Sequence, residues 1–203
     1  MKKAITYRSP RLYSFAIKFL HPRGDLSFVG NLVGKHKTVF EPACGFGRLK
    51  KFLDVSCNYF GIDLNYDFIR FGNRRHRNIT LGNIFEERHY FKTDIIVLCD
   101  IIHHLSVEKG KELVRLACKY AEEKVIIVEP TFTELASGKS WFSKLMAKIF
   151  SKLDYDGINH IKKWMTRNEY EKLFREYKVK NNFSNMKVTE KNNYFFVELF
   201  ANT

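Results

Sequence analysis

The stretch Thr38-Val39-Phe40-Glu41-Pro42-Ala43-Cys44-Gly45-Phe46-Gly47-Arg48-Leu49 constrains the fold more than any other part of the chain. Its β-branched and aromatic start reads as a buried strand. A turn with two glycines follows, and Leu49-Lys50-Lys51-Phe52-Leu53 then reads as a helix. Strand, glycine turn and helix in this order bring backbone N–H groups and a helix N-terminus up to a polar ligand. Gly45 and Gly47 let the main chain approach that ligand closely, because no Cβ stands in the way.

Later stretches fall where such a fold needs them. Asn58-Tyr59-Phe60-Gly61-Ile62-Asp63 is a second strand ending in a carboxylate. Asp63 stands where a carboxylate accepts from both hydroxyls of a ribose, although it also precedes an apolar-periodic stretch through Phe68, Ile69 and Phe71 and could cap that helix. Residues 79–84 form a third short strand with a Gly-polar-apolar turn. The fourth, 93–100, is a continuous apolar run of the kind buried on both faces of a parallel sheet. A helix over 106–122 follows, with Ser106 as N-cap and Val107, Leu113, Leu116 and Ala117 on one face. Residues 124–130 make a fifth strand that Pro130 halts. A helix over 166–177 leads to two strands, 177–188 and 193–201, whose short polar link implies an antiparallel pair.

This alternation predicts an α/β fold: a doubly wound, mostly parallel, seven-stranded Rossmann-like sheet with its last strand antiparallel. Right-handed crossovers put the C-terminal ends of the parallel strands on one edge. Glu41, Asp63, Asn83, Asp100 and Glu129 therefore gather around one crevice. Ahead of the sheet, residues 11–20 and 26–33 read as N-terminal helices, the second closed by Gly34.

Composition limits the function classes. The four cysteines, Cys44, Cys57, Cys99 and Cys118, show no C-x-x-C and no ligand spacing, so they read as reduced thiols of a cytoplasmic protein with no metal site. No apolar run is long enough to span a bilayer, and Lys18 interrupts the only N-terminal candidate. The formal charge of +13 favours anionic partners, namely nucleic acid, an acidic membrane surface or a phosphorylated substrate, but a lysine-rich solvated surface explains it equally well. After the fifth strand, Trp141, Leu145, Met146, Ile149, Phe150 and Leu153 follow helical spacing, with Lys139, Lys144, Lys148 and Lys152 largely on the other side. Such a helix can lie peripherally on the inner membrane surface, cover a pocket, or simply face the core.

In this order and spacing the motifs resemble those of the class I S-adenosylmethionine-dependent methyltransferases of small-molecule type. The family's first motif, acidic-x-Gly-x-Gly-x-Gly, is matched by Glu41 to Gly47 with Ala43 in place of the first glycine. Asp63 matches the acidic end of the second strand. Gly82-Asn83 stands where the family often has Gly-Asp, and Asp100-Ile101-Ile102-His103-His104-Leu105 resembles the segment after the fourth strand. Trp164-Met165-Thr166-Arg167-Asn168-Glu169-Tyr170 resembles the helix start before the last two strands, so the likeness covers about 38–200.

Length and element order together predict one domain over 1–203: N-terminal helices (1–36), a cofactor-binding core (37–130), a helical substrate lid or insert (131–165) and a C-terminal helix with a strand pair (166–203). The resemblance implies S-adenosyl-L-methionine as cofactor. Backbone at Ala43, Cys44, Gly45 and Gly47 would cradle the methionine part, with Glu41 balancing its ammonium. Asp63 would hold the ribose, Leu64 would pack on the adenine, and Asn83 and the Ile84 N–H would read its edge. Carbonyls near Cys99 and Asp100 would accept from the methionine amino group. A dinucleotide fits less well, since Lys50 stands where G-x-G-x-x-G has its third glycine.

Methyl transfer needs positioning, plus a base where the nucleophile must lose a proton. His103 and His104 stand where that base is expected, although either could instead cap the next helix or pack on the sheet. Tyr13, Trp141, Asn159 and His160 are expected in the substrate pocket. The expected substrate is a small, apolar or amphiphilic molecule. RNA or protein methylation and cofactor binding without catalysis remain as alternatives, and nucleic acid stays open on charge alone.

Overall fold

The computed structural model describes residues 24–75, 77–130, 167–180, 183–192 and 194–202. The N-terminal helix over 11–20, the helical insert and the pocket residues Tyr13, Trp141, Asn159 and His160 lie outside the described residues. In chain order the elements are α1 (Gly24–Val33), β1 (Thr38–Pro42), β2 (Asn58–Asp63), α2 (Tyr66–Asn73), β3 (Ile79–Leu81), β4 (Thr93–Cys99), α3 (Val107–Tyr120), β5 (Ala121–Pro130), α4 (Arg167–Lys180), β6 (Asn185–Lys191) and β7 (Tyr194–Phe200).

The strands form one seven-stranded sheet in the order β3-β2-β1-β4-β5-β7-β6. β1 to β5 are parallel, while β7 runs antiparallel between β5 and β6, as the sequence predicts. Successive residues of a strand point to opposite faces, so each central strand feeds two cores. Phe40, Ile96, Leu98, Val125, Ile127 and Phe195 pack on one face with Leu113 and Ala117 of α3 and with Tyr170, Phe174 and Tyr177 of α4. Val39, Tyr59, Ile95, Val97, Ile126 and Phe196 pack on the other with Val29 and Val33 of α1. The strand order reverses between β1 and β4, and a crevice opens at such a reversal beside the strands' C-terminal ends.

Three expectations are corrected. Residues 49–53 do not form an α-helix: only one 3-10 turn, Leu49–Lys51, follows the glycine loop. Its layer is already occupied, because Val29 and Val33 pack with Leu49 and Leu53, and a Cβ on Gly30 would collide with the Phe52 carbonyl. The predicted strand over 177–188 is also displaced. α4 continues to Lys180 and β6 begins at Asn185, because Tyr170, Phe174 and Tyr177 recur at helical spacing and are all buried. Finally, Val107 is exposed, and the buried face of α3 is Gly110, Leu113, Val114, Leu116 and Ala117. α3 stops at Tyr120, and β5 starts at once with Ala121 paired to Thr93.

Candidate functional site

The loop after β1 is a fixed arc. Ala43, Gly45 and Gly47 all take positive φ, at 59°, 56° and 71°. The Cys44 N–H donates to the Ile62 carbonyl at 3.0 Å and the Gly47 N–H to the Cys44 carbonyl at 2.9 Å. Behind the arc, buried Arg77 donates through Nη1 to the Phe46 carbonyl at 2.6 Å. A Cβ on Gly61 would come within 2.7 Å of Cys44 Sγ, so the loop rests directly on the β2 backbone.

Asp63 turns toward this arc. Its Oδ2 accepts from the Gly45 N–H at 2.8 Å and its Oδ1 from the Asn65 N–H at 2.8 Å. Burial pushes its carboxyl up, and those two N–H bonds pull against that shift. The cap of α2 is Asn65, whose Oδ1 accepts from the N–H groups of Asp67 and Phe68 at 3.0 and 3.4 Å. Leu64, beside Asp63, is 68% exposed.

Glu41 lies beneath the loop, buried, and accepts a hydrogen bond from the Tyr59 hydroxyl. Burial raises its carboxyl to about 8. Asn83 accepts the Phe85 N–H at 3.1 Å, and the Gly82 N–H donates to the Asp63 carbonyl at 3.1 Å, so the turn after β3 is tied to the end of β2. Asp100 takes a φ of 53° just past β4, and its N–H donates to the Val128 carbonyl. Burial pushes the Cys44 and Cys99 thiols well up, which removes both as nucleophiles near neutral pH.

The two histidines part company. His103 is buried and His104 half-buried, with ring centroids 4.1 Å apart. His103 Nδ1 lies 2.6 Å from Glu129 Oε2. Glu129 is 0% exposed and accepts from the N–H groups of Ile101, Ile102 and His103 at 3.1, 2.7 and 3.3 Å, and from the Tyr170 hydroxyl at 3.4 Å. A carboxylate that accepts so many bonds holds the imidazole proton on Nδ1. Burial pulls the His103 ring down, but the charge and hydrogen bond of Glu129, with Asp100 behind, outweigh it and the net shift is upward. Among the described residues no group of three or more His, Cys, Asp or Glu side chains could hold a metal ion.

No family model and no curated protein matches the sequence. Solved structures do match the fold. An O-methyltransferase family protein from Burkholderia thailandensis superposes with a TM-score of 0.69 at 14% identity, over 98% of this chain and 62% of that one. A SAM-dependent methyltransferase from Archaeoglobus fulgidus gives 0.64 at 15% identity, over 94% and 99%. Human N-acetylserotonin methyltransferase in complex with SAM gives 0.66 at 13% identity, over 97% and 58%. The fold is that of the class I S-adenosylmethionine-dependent methyltransferases. The chain spans less than two thirds of the length of the first and third of these proteins.

Of the residues expected from the sequence, Glu41, Asp63, Cys99 and Asp100 lie at or just past the C-terminal ends of β1, β2 and β4, while Cys44 and Ile84 are packed in the two cores. Gly45 contacts Asp63, and the Gly82 turn contacts the Asp63 backbone. The grip of Glu129 on the His103 turn was not foreseen. Its one sequence signal was a carboxylate embedded in an apolar strand end, Ile127-Val128-Glu129-Pro130, where a solvent-facing role is excluded.

Proposed function

We propose that this chain is an S-adenosylmethionine-dependent methyltransferase acting on a small, apolar or amphiphilic molecule. The observation that carries the reading is the joining of the Gly45 amide to Asp63, which sets a glycine arc and a ribose-competent carboxylate side by side at the reversal of strand order. The residues present fit the cofactor. The bend at 43–47, where Ala43 and Gly45 are only partly buried, would receive its amino-acid end, buried Glu41 suits its ammonium, and exposed Leu64 offers an apolar surface to its adenine. Each Asp63 oxygen accepts one backbone N–H and has a second lone pair for a ribose hydroxyl. When bound, the cofactor supplies an electrophilic methyl on a sulfonium.

This chain's own part is positioning and proton transfer. Glu129 fixes the tautomer and the orientation of His103, whose Nε2 would take the proton of an acceptor hydroxyl. The acceptor pocket would draw on Tyr13, Trp141, Asn159 and His160, and the lysine-rich insert would rest on an anionic membrane surface.

The test is transfer of a radiolabelled methyl group in cell extracts, beside calorimetry with S-adenosylhomocysteine. Solvent-extractable label is the expected result. Label destroyed by ribonuclease would point to RNA, in keeping with the charge of +13, and cofactor uptake without transfer would leave a binding protein. No uptake of either form of the cofactor would overturn the proposal.

A further inference from the structure

β1 and β2 run in register with Val39 opposite Tyr59 and Glu41 opposite Gly61. Tyr59 and Glu41 therefore project on the same face, one diagonal step apart. The Tyr59 hydroxyl donates to Glu41 Oε2, and the two residues are 2% and 5% exposed. Gly61 puts no side chain between them, and Cys44 fills that space. The other groups facing Glu41 are Asp63 at the end of β2, Asp100 and Cys99 at the end of β4, Cys44 and Arg48 in the loop, and Arg77 ahead of β3. Among the described residues no cation comes within 4.0 Å of the Glu41 carboxyl; Arg48 and Arg77 act on it only through space. Among the described residues this buried carboxylate is flanked by two more acids and met directly only by a phenol, so no cation in contact balances its charge.

We infer that the Glu41–Tyr59 pair holds a proton in the cofactor-free protein and releases it when the ammonium of the methyl donor docks on Glu41, with Tyr59 as the positioning residue that sets how tightly the proton is held. The inference rests on the methyl-donor reading. The upward displacement of Glu41 to about 8 agrees with the geometry. Uptake of the cofactor then expels close to one proton at neutral pH. By linkage its affinity rises about tenfold per pH unit until Glu41 is itself ionised. The Tyr59 hydroxyl bond favours the ionised carboxyl, so its removal makes the proton harder to expel.

S-adenosylhomocysteine is the suitable probe, because it keeps the amino-acid end and lacks the sulfonium charge. Carbon-13 NMR of side-chain-labelled glutamate in the cofactor-free protein is expected to show one carboxyl titrating near pH 8. That signal should vanish in Glu41→Gln and move to higher pH in Tyr59→Phe. Calorimetry in two buffers of different ionisation enthalpy should show close to one proton released per S-adenosylhomocysteine at pH 7. Tyr59→Phe should bind more weakly at pH 7 and recover affinity as pH rises, which a merely structural role of the ring would not produce. The inference is overturned if every glutamate titrates in the ordinary range, or if the ligand binds without proton release. A Glu41 titration near pH 8 with no heat from either form of the cofactor removes the methyl-donor reading itself, and the coupling with it.

Discussion

The Gly45 amide donates to Asp63 Oδ2 at 2.8 Å, so the bend after β1 and the end of β2 are a single unit. The bond gives Asp63 a structural task beside the ribose-holding one proposed for it. Asp63→Ala is expected to weaken S-adenosylhomocysteine binding at least tenfold, since hydrogen bonds to a charged group contribute about 1.5–3 kcal/mol each. Asp63→Asn should not rescue it fully, because one side of the amide would present a donor to the N–H of Gly45 or of Asn65. Titration calorimetry measures both, and an alanine variant that binds like the parent would defeat the assignment of Asp63 to the ribose.

Ala43 stands at a φ of 59° where the family motif has glycine. A Cβ in the left-handed region costs about 1 kcal/mol, partly offset by the greater freedom of glycine in the unfolded chain. Ala43→Gly should therefore raise the thermal midpoint by about 2–4 °C per kcal/mol gained, for a chain of this size. Gly61→Ala should do the opposite, because its Cβ would meet Cys44 Sγ at 2.7 Å and Cys44 Cβ at 2.8 Å, and the loop would have to lift. Thermal denaturation of the two variants checks the pair, and equal midpoints would mean that the loop does not rest on β2 as described.

The same residues show what the sequence makes legible. The run over β4 announces a central strand because burial on both faces requires continuous apolar side chains, and that requirement is local. Asp63 is legible because it lies at the end of a strand whose direction the crossover rule dictates. The absent helix after the glycine loop is not legible, since Leu49 and Leu53 keep helical spacing while their layer is filled by α1, a tertiary fact. Glu129 is half legible: its place at a strand end follows from the pattern. Its capture of three N–H groups from the His103 turn requires knowing that β4 and β5 are neighbours in register.

Glu41 should make the cofactor-free protein less stable as pH rises. Its folded value, about 8, lies above the ordinary 4.5, so the native state binds the extra proton between those limits. The stability it contributes is complete below pH 4.5 and is lost as pH rises through 8. Glu41→Gln has no such slope, and its advantage over the parent should grow from pH 5.5 to pH 8. Urea denaturation at the two pH values measures it, and parallel behaviour of parent and variant would mean that Glu41 is not sealed from water.

On the proposed reading, His103 and Glu129 would give the reaction a pH signature. The net upward shift of His103 means that its neutral, proton-accepting form dominates only above the ordinary imidazole value of 6.5, so kcat should climb through a limb placed alkaline of that value. His103→Ala should lower kcat by about 10²–10⁴, the usual worth of a positioned base, while S-adenosylhomocysteine affinity is retained. Glu129→Gln removes the charge that holds the ring up and leaves burial to pull it down, so the remaining activity should show its limb at lower pH than the parent. The same change sets an amide NH2 among backbone N–H groups that each need an acceptor, so kcat falls as well and the turn over residues 101–103 loosens. A limb that stays in place in Glu129→Gln would show that His103 is not the group that titrates, and would return His104 as the candidate base.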